Sequence, residues 1–353
     1  MTEQQSGIPS QADHDEQHPP PSSETPLPRQ PESPIQAFLR GIFFGPYELR
    51  AGWRLCIFIL LLVFLFVILT VIGEILAPVS PAPQAELKIS AVEVALGVLT
   101  FGSVLAAAAT MSKLERRPMR AYGLSARGDF GGRFWLGMFW GFSALTVLLL
   151  VMHFLGGFNF GHPVLHGREI LVYGVLWLLS FIATGFFEEY LVRGYPQFTL
   201  TTGMGFWRAS LVLSVFFALG HAANPGESRV GVLQIVPVAL FFCFTLRRTG
   251  SLWFAIGFHA AWDWGQSYFY GTPDSGLLVQ GHLFESAVHG PEWITGGRVG
   301  PEASILMIPL IALLFVAFHL THRQSKYPDP STLIPAPRQS ADRAPYANPP
   351  KLS

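Results

Sequence analysis

Long apolar runs alternate with short polar connections along most of the chain. Eight such runs fall at about 53–77, 91–111, 134–156, 170–191, 208–223, 230–247, 251–270 and 302–321, taking a span as about twenty residues, the length a helix needs to cross the hydrocarbon core. Strand-like alternation is absent, and in lipid only helices or closed barrels satisfy their own backbone. The pattern therefore predicts an all-α fold, a polytopic membrane bundle of about eight transmembrane helices. The fifth run is short and ends in HAANPGES, and the sixth contains Pro237, which a membrane helix tolerates where neighbours satisfy the freed carbonyl.

The flanks read differently. Residues 1–35 are rich in Pro, Gln, Ser, Glu and His with few aliphatics, a composition that predicts a disordered tail. Gln36 to Arg54 mixes aromatic and basic residues ahead of the first run and reads as an interfacial anchor. The transmembrane domain is expected over 36–323 and a second disordered, proline-rich tail over 324–353.

Charge orients the runs. Arg40, Arg50 and Arg54 precede the first; Lys113, Arg116, Arg117, Arg120, Arg127 and Arg133 separate the second and third. Arg193 and Arg208, then Arg247 and Arg248, then Arg323 and Lys326 mark every second connection after that, while the intervening ones are poor in Lys and Arg. This is the positive-inside pattern of an even number of spans with both termini cytoplasmic, and it predicts a multi-pass protein of the cell membrane.

Composition agrees, with 50% hydrophobic and 13% charged residues, about half the charged share of a soluble domain. The mean hydropathy of +0.38 points the same way. Cys56 and Cys243 each lie inside an apolar run, so neither a disulfide framework nor a paired thiolate metal site is expected. No cleavable signal sequence is evident, because the first apolar run starts only near Trp53.

Ionisable residues inside the runs are the costly feature, since each is expensive in hydrocarbon unless paired or hydrated. The fourth run ends FIATGFFEEYLVRG, with Glu188 and Glu189 adjacent and Arg193 four residues after Glu189. That spacing pairs Glu189 with Arg193 on one helix face and leaves Glu188, about 100° round the helix, in need of another partner. The fifth run places His221 after Phe217, and the seventh places His259 and Asp263 four apart on one face. By helical rise, Glu188 lies on the order of 5–10 Å inside its cytoplasmic end, His259 about 12 Å, and His221 about 20 Å from Arg208, the deepest of the three.

Two chemistries fit these residues. Two imidazoles and a carboxylate suit a divalent metal such as zinc, with Glu188, His221 and His259 as ligands around a water. Alternatively, Glu188 and His221 activate water directly while His259 and Asp263 stabilise an oxyanion. No HExxH helix occurs, so the soluble zincin arrangement is excluded.

Three ordered motifs carry a family resemblance. EEYLVR matches EExxxR, FALGH matches FxxxH, and HAAWD matches HxxxN/D, the signatures of the CAAX protease and bacteriocin-processing (Abi) family of intramembrane proteases. RGYPQFTL, the Gly-Ser-Leu-Trp start of the seventh run and AYGL at Ala121 to Leu124 are also similar, so the likeness covers about 121–270. Asp263 stands where the family often has Asn.

The resemblance implies hydrolysis of a peptide bond in or near the membrane. It makes Glu188 the general base, His221 and His259 either metal ligands or water-activating and oxyanion groups, and Glu189, Arg193 and Asp263 their supporting shell. The partners expected are the lipid bilayer and a membrane-associated protein or peptide substrate, not nucleic acid. Two other classes compete: a proton- or ion-coupled transporter, which needs polar groups through both leaflets, and an inactive scaffold. A structural ion pair explains Glu189 and Arg193 on their own, and a carboxylate that orients His259 is the ordinary role for Asp263.

Overall fold

The computed structural model describes residues 33–45, 48–76, 85–124, 130–224 and 227–329, and residues 1–42 and 43–353 form separate compact units. In the first unit, helix α1 (Pro34–Phe43) opens on a capping box. Ser33 Oγ accepts from Gln36 N at 3.2 Å, and Gln36 Oε1 accepts from Ser33 N at 3.1 Å. Ile35, Phe38, Leu39 and Ile42 are all exposed on it. The remainder of the expected N-terminal tail lies outside the described residues.

The second unit is an all-α bundle. Its helices are α2 (Ala51–Leu76), α3 (Ala85–Glu115), α4 (Phe130–Phe154), α5 (Arg168–Arg193), α6 (Tyr195–Met204), α7 (Phe206–His221), α8 (Arg229–Thr249), α9 (Trp253–Asp263), the short α10 (Glu292–Thr295) and α11 (Met307–Thr321). A π-helical turn, Trp264–Phe269, extends α9. Each apolar run of the sequence is helical. Among the described residues, five stretches are long and apolar enough to cross a membrane, namely 51–72, 97–115, 131–154, 168–204 and 229–249. Helices α7 and α11 are apolar but shorter, and α9 with its π turn completes the set. This is a multi-pass membrane bundle. Phe64, Phe139, Leu171, Phe216 and Leu233 stand on outward helix faces, as lipid-facing positions do.

Two cores hold the helices. One packs Leu145, Leu148 and Leu149 of α4 against Phe241 and Phe242 of α8, Phe254 and Phe258 of α9, and Phe318 of α11. The other joins Phe58, Met111, Tyr190, Tyr195, Phe198 and Ile256 from α2, α3, α5, α6 and α9. Beside it the nearly buried Arg54 donates to Glu115 at 2.6 and 2.8 Å and to Glu48 at 2.7 Å, which ties the start of α2 to the end of α3.

The expected tail from 324 is corrected at its first residues. Lys326 N and Tyr327 N donate to Arg247 O, and the Tyr327 ring is buried against Phe198 and Phe206 at 4.8 and 4.7 Å. A single aromatic side chain outweighs the polar composition around it. Residues 330–353 lie outside the description.

Helix α9 is set by glycines. A Cβ on Gly257 would stand 2.1 Å from Phe134 O, and Cβ atoms on Gly137 and Gly141 of α4 would stand 2.2 Å from Phe254 O and Phe258 O. Only hydrogen at these positions lets the two backbones touch, the small-residue packing that membrane helices use in place of a hydrophobic driving force. Gly185 brings α5 against Ile256 O in the same way, at 3.1 Å.

Gly257→Ala is expected to force α9 away from α4 and to lower stability by about 1–3 kcal/mol, the usual cost of overpacking. Gly102→Ala, where a Cβ meets nothing within 4 Å, is the control. Thermal unfolding in detergent checks both.

Candidate active site

Three helices bring their polar residues together. Glu188 and Glu189 sit near the end of α5, His221 is the last residue of α7, and His259 and Asp263 share one face of α9. His221 Nε2 stands 3.9 Å and His259 Nε2 3.6 Å from Glu188 Oε2. The partner that Glu188 lacks on its own helix is thus a pair of imidazoles on two others. His221 reaches this level at the end of α7, a helix of only 16 residues.

Glu189 does more than the sequence indicated. Its Oε1 accepts from Arg193 Nη1 at 2.8 Å, and the same oxygen accepts from His259 Nδ1 at 3.0 Å. Both Glu189 and Arg193 have fully buried side chains. Arg193 also donates to Ala239 O at 3.2 Å and lies over the rings of Phe217 and Phe242 at 5.1 and 5.4 Å. The i,i+4 pair therefore anchors α5 to α7, α8 and α9 together, and its carboxylate fixes the His259 ring.

The two adjacent acids differ in access. Glu188 keeps 21% of its side-chain surface exposed and Glu189 none, so water reaches the first and not the second. His221 Nδ1–H donates to Phe217 O at 2.9 Å, since a carbonyl only accepts. That leaves Nε2 turned toward Glu188. A gap of 3.9 Å is too long for a hydrogen bond and suits a bridging water. On the other side, His259 Nε2 also faces Asp263 Oδ2 at 3.4 Å.

The donor types suit a metal ion, because both imidazoles have Nδ1 tied to an oxygen and Nε2 turned to Glu188. In the expected ligand set of Glu188, His221 and His259, Glu188 Oε2 stands 3.6 and 3.9 Å from the two Nε2 atoms, separations that ligands about 2.0–2.2 Å from one ion can span.

All of these groups except Glu189 and Arg193 line one cavity of about 650 Å³, within the range of small-ligand sites. Trp177, Phe181, Phe241, Phe242, Phe258 and Trp262 make its walls largely aromatic. Its rim includes Asp274, Ser275 and Glu302 from the long connection after the π turn. Sequence reading gave neither Asp274 nor Glu302 a part in the site. The missed signal is Pro273-Asp274-Ser275-Gly276, a turn sequence. It folds with Asp274 N to Leu277 O at 2.8 Å, and Ser275 has a φ of 47°. Burial pushes the Asp274 carboxyl up to about 6, and burial together with the Asp274 charge raises Glu302 well above the usual carboxylate range.

Residues 170–265 match the family described as type II CAAX prenyl endopeptidase Rce1-like. The segment that holds the site is similar to that family. No curated protein and no solved structure matches the chain. The Rce1-like segment runs from the start of α5 to the first residues of the π turn, so it spans Glu188, Glu189, Arg193, His221, His259 and Asp263. Asp274 and Glu302 lie beyond it.

Arg193→Met is expected to leave Glu189 buried without its cation. Breaking one side of a buried ion pair costs about 3–5 kcal/mol, so the variant should unfold well below the wild type in a denaturant or thermal titration.

Proposed function

We propose that this chain is an intramembrane endopeptidase that hydrolyses a peptide bond of a membrane-associated protein or peptide with water activated by Glu188. The observation that carries the reading is the convergence of His221 and His259 on Glu188, at 3.9 and 3.6 Å, in a cavity whose walls are largely aromatic. Such a pocket suits a peptide with apolar residues about the scissile bond.

The chemistry follows from the hydrogen-bond accounting. A water between the Glu188 carboxylate and the His221 Nε2 lone pair donates both protons, leaving an oxygen lone pair free to attack. Glu188 takes one proton as that oxygen bonds to the scissile carbonyl carbon. The carbonyl electrons move onto oxygen, and the oxyanion meets His259, which in this scheme carries a proton on Nε2 as well as on Nδ1. Collapse breaks the C–N bond, and Glu188 returns its proton to the departing amine. The products are a carboxylic acid and an amine, and the acid's remaining proton passes to the amine as they separate. Glu189 and Arg193 are positioning residues in this scheme, acting through His259. A divalent metal such as zinc, held by Glu188, His221 and His259, would polarise the carbonyl and acidify the water; no step here runs through it.

A transporter reading needs a polar path across both leaflets. The polar groups described here gather in one cavity bounded by aromatic walls, which favours hydrolysis at a fixed site. The alternation of basic connections supports a reading with both termini in the cytoplasm.

Glu188→Gln is expected to cut peptide hydrolysis in proteoliposomes by about 10²–10⁴-fold, the usual worth of a general base, while unfolding at the wild-type temperature. Cleavage at the normal rate by this variant would remove Glu188 from the role.

A further inference from the structure

The cavity has a second polar region that the hydrolytic scheme leaves unused. Gln266 Nε2 donates to Pro273 O at 2.6 Å and to Glu302, Ser275 N donates to Glu302 Oε1 at 2.6 Å, and Ser267 Oγ donates to Asp274 Oδ2 at 3.2 Å. These bonds hold two carboxylates at the wall formed by the connection that follows the π turn. Gln234 of α8 completes it, with Nε2 donating to Ala303 O at 3.1 Å. Because the acceptor is a carbonyl, the amide orientation is settled and Oε1 points the other way.

What remains unfilled there is all of one kind. Gln234 lines the cavity at 8% exposure, and its Oε1 accepts no hydrogen bond from any described residue. Gln266 Oε1, behind Glu302, is likewise buried and unmatched among the described residues. Both are acceptors, and so are the two carboxylates. A buried acceptor left unpaired costs about 1–3 kcal/mol, so the wall calls for a ligand that brings several donors. Ammonium and guanidinium groups carry donors only.

Resting on the protease reading above, we infer that Asp274, Glu302 and Gln234 form a specificity subsite that takes a basic side chain of the substrate, lysine or arginine, while the aromatic walls take its apolar residues. The stem of such a side chain is itself apolar and lies readily along aromatic surface. A cation entering here also offsets the surplus of carboxylates that Glu188, Asp263, Asp274 and Glu302 give the cavity.

The test separates binding from cleavage. The Glu188→Gln protein in nanodiscs is titrated with N-acetylated apolar hexapeptide amides in which lysine, arginine or norleucine is moved through each position, read by fluorescence of labelled peptide. At one position lysine and arginine should bind at least about tenfold tighter than norleucine, as charge-assisted bonds require. That preference should collapse in Glu302→Gln and in Asp274→Asn, the latter keeping an acceptor for Ser267. Equal affinity of the three peptides at every position, or a preference that survives both substitutions, overturns the subsite. The same peptides given to the wild type test hydrolysis separately: absent cleavage with an intact binding preference would fault the protease reading and leave the subsite standing.

Discussion

One carboxylate oxygen governs the centre of this protein. Glu189 Oε1 holds Arg193 at 2.8 Å and His259 at 3.0 Å, with no solvent reaching Glu189 or Arg193. Buried ions in a membrane bundle are tolerated only where they satisfy one another, and here the arginine is further satisfied by Ala239 O and two aromatic faces. The group that neutralises α5 is therefore the group that orients the imidazole of α9. Stability and site geometry rest on the same atom, so neither can be altered alone.

Packing supplies the precision that the charges need. Gly137, Gly141 and Gly257 let α4 and α9 meet backbone to backbone, and Gly185 seats α5 on α9 one turn before the paired acids. His259 follows Gly257 by two residues, so its distance to Glu188 is set by contacts that allow little slack. Interiors packed this closely transmit displacement, which is why residues without polar atoms matter to the chemistry as much as the acids do.

Much of this was legible in the sequence, for identifiable reasons. Apolar length located the long helices of the bundle, though not α6 or α10, and the i,i+4 spacing of Glu189 and Arg193 foretold their pair. The unmatched Glu188 pointed to groups on other helices, and His221 and His259 answer to it. The sharing of Glu189 with His259 was not legible, since it links positions 70 residues apart through the rotation of two helices. Nor were Asp274 and Glu302, because a loop's return into a cavity depends on tertiary closure and leaves only a turn signature such as PDSG. Residue type named candidate metal donors but could not give their spacing, which three separate helices set. Tyr327 likewise shows one ring anchoring a segment whose composition reads as tail.

The most direct measurement is an experimental structure of the Glu188→Gln variant with an uncleaved peptide bound. The account predicts the scissile carbonyl carbon between residue 188 and His221, its oxygen within hydrogen-bond reach of His259 Nε2, and the Glu189 bonds to Arg193 and His259 intact. A peptide whose scissile bond lies away from these three residues, or a His259 ring turned off Glu189, would contradict it.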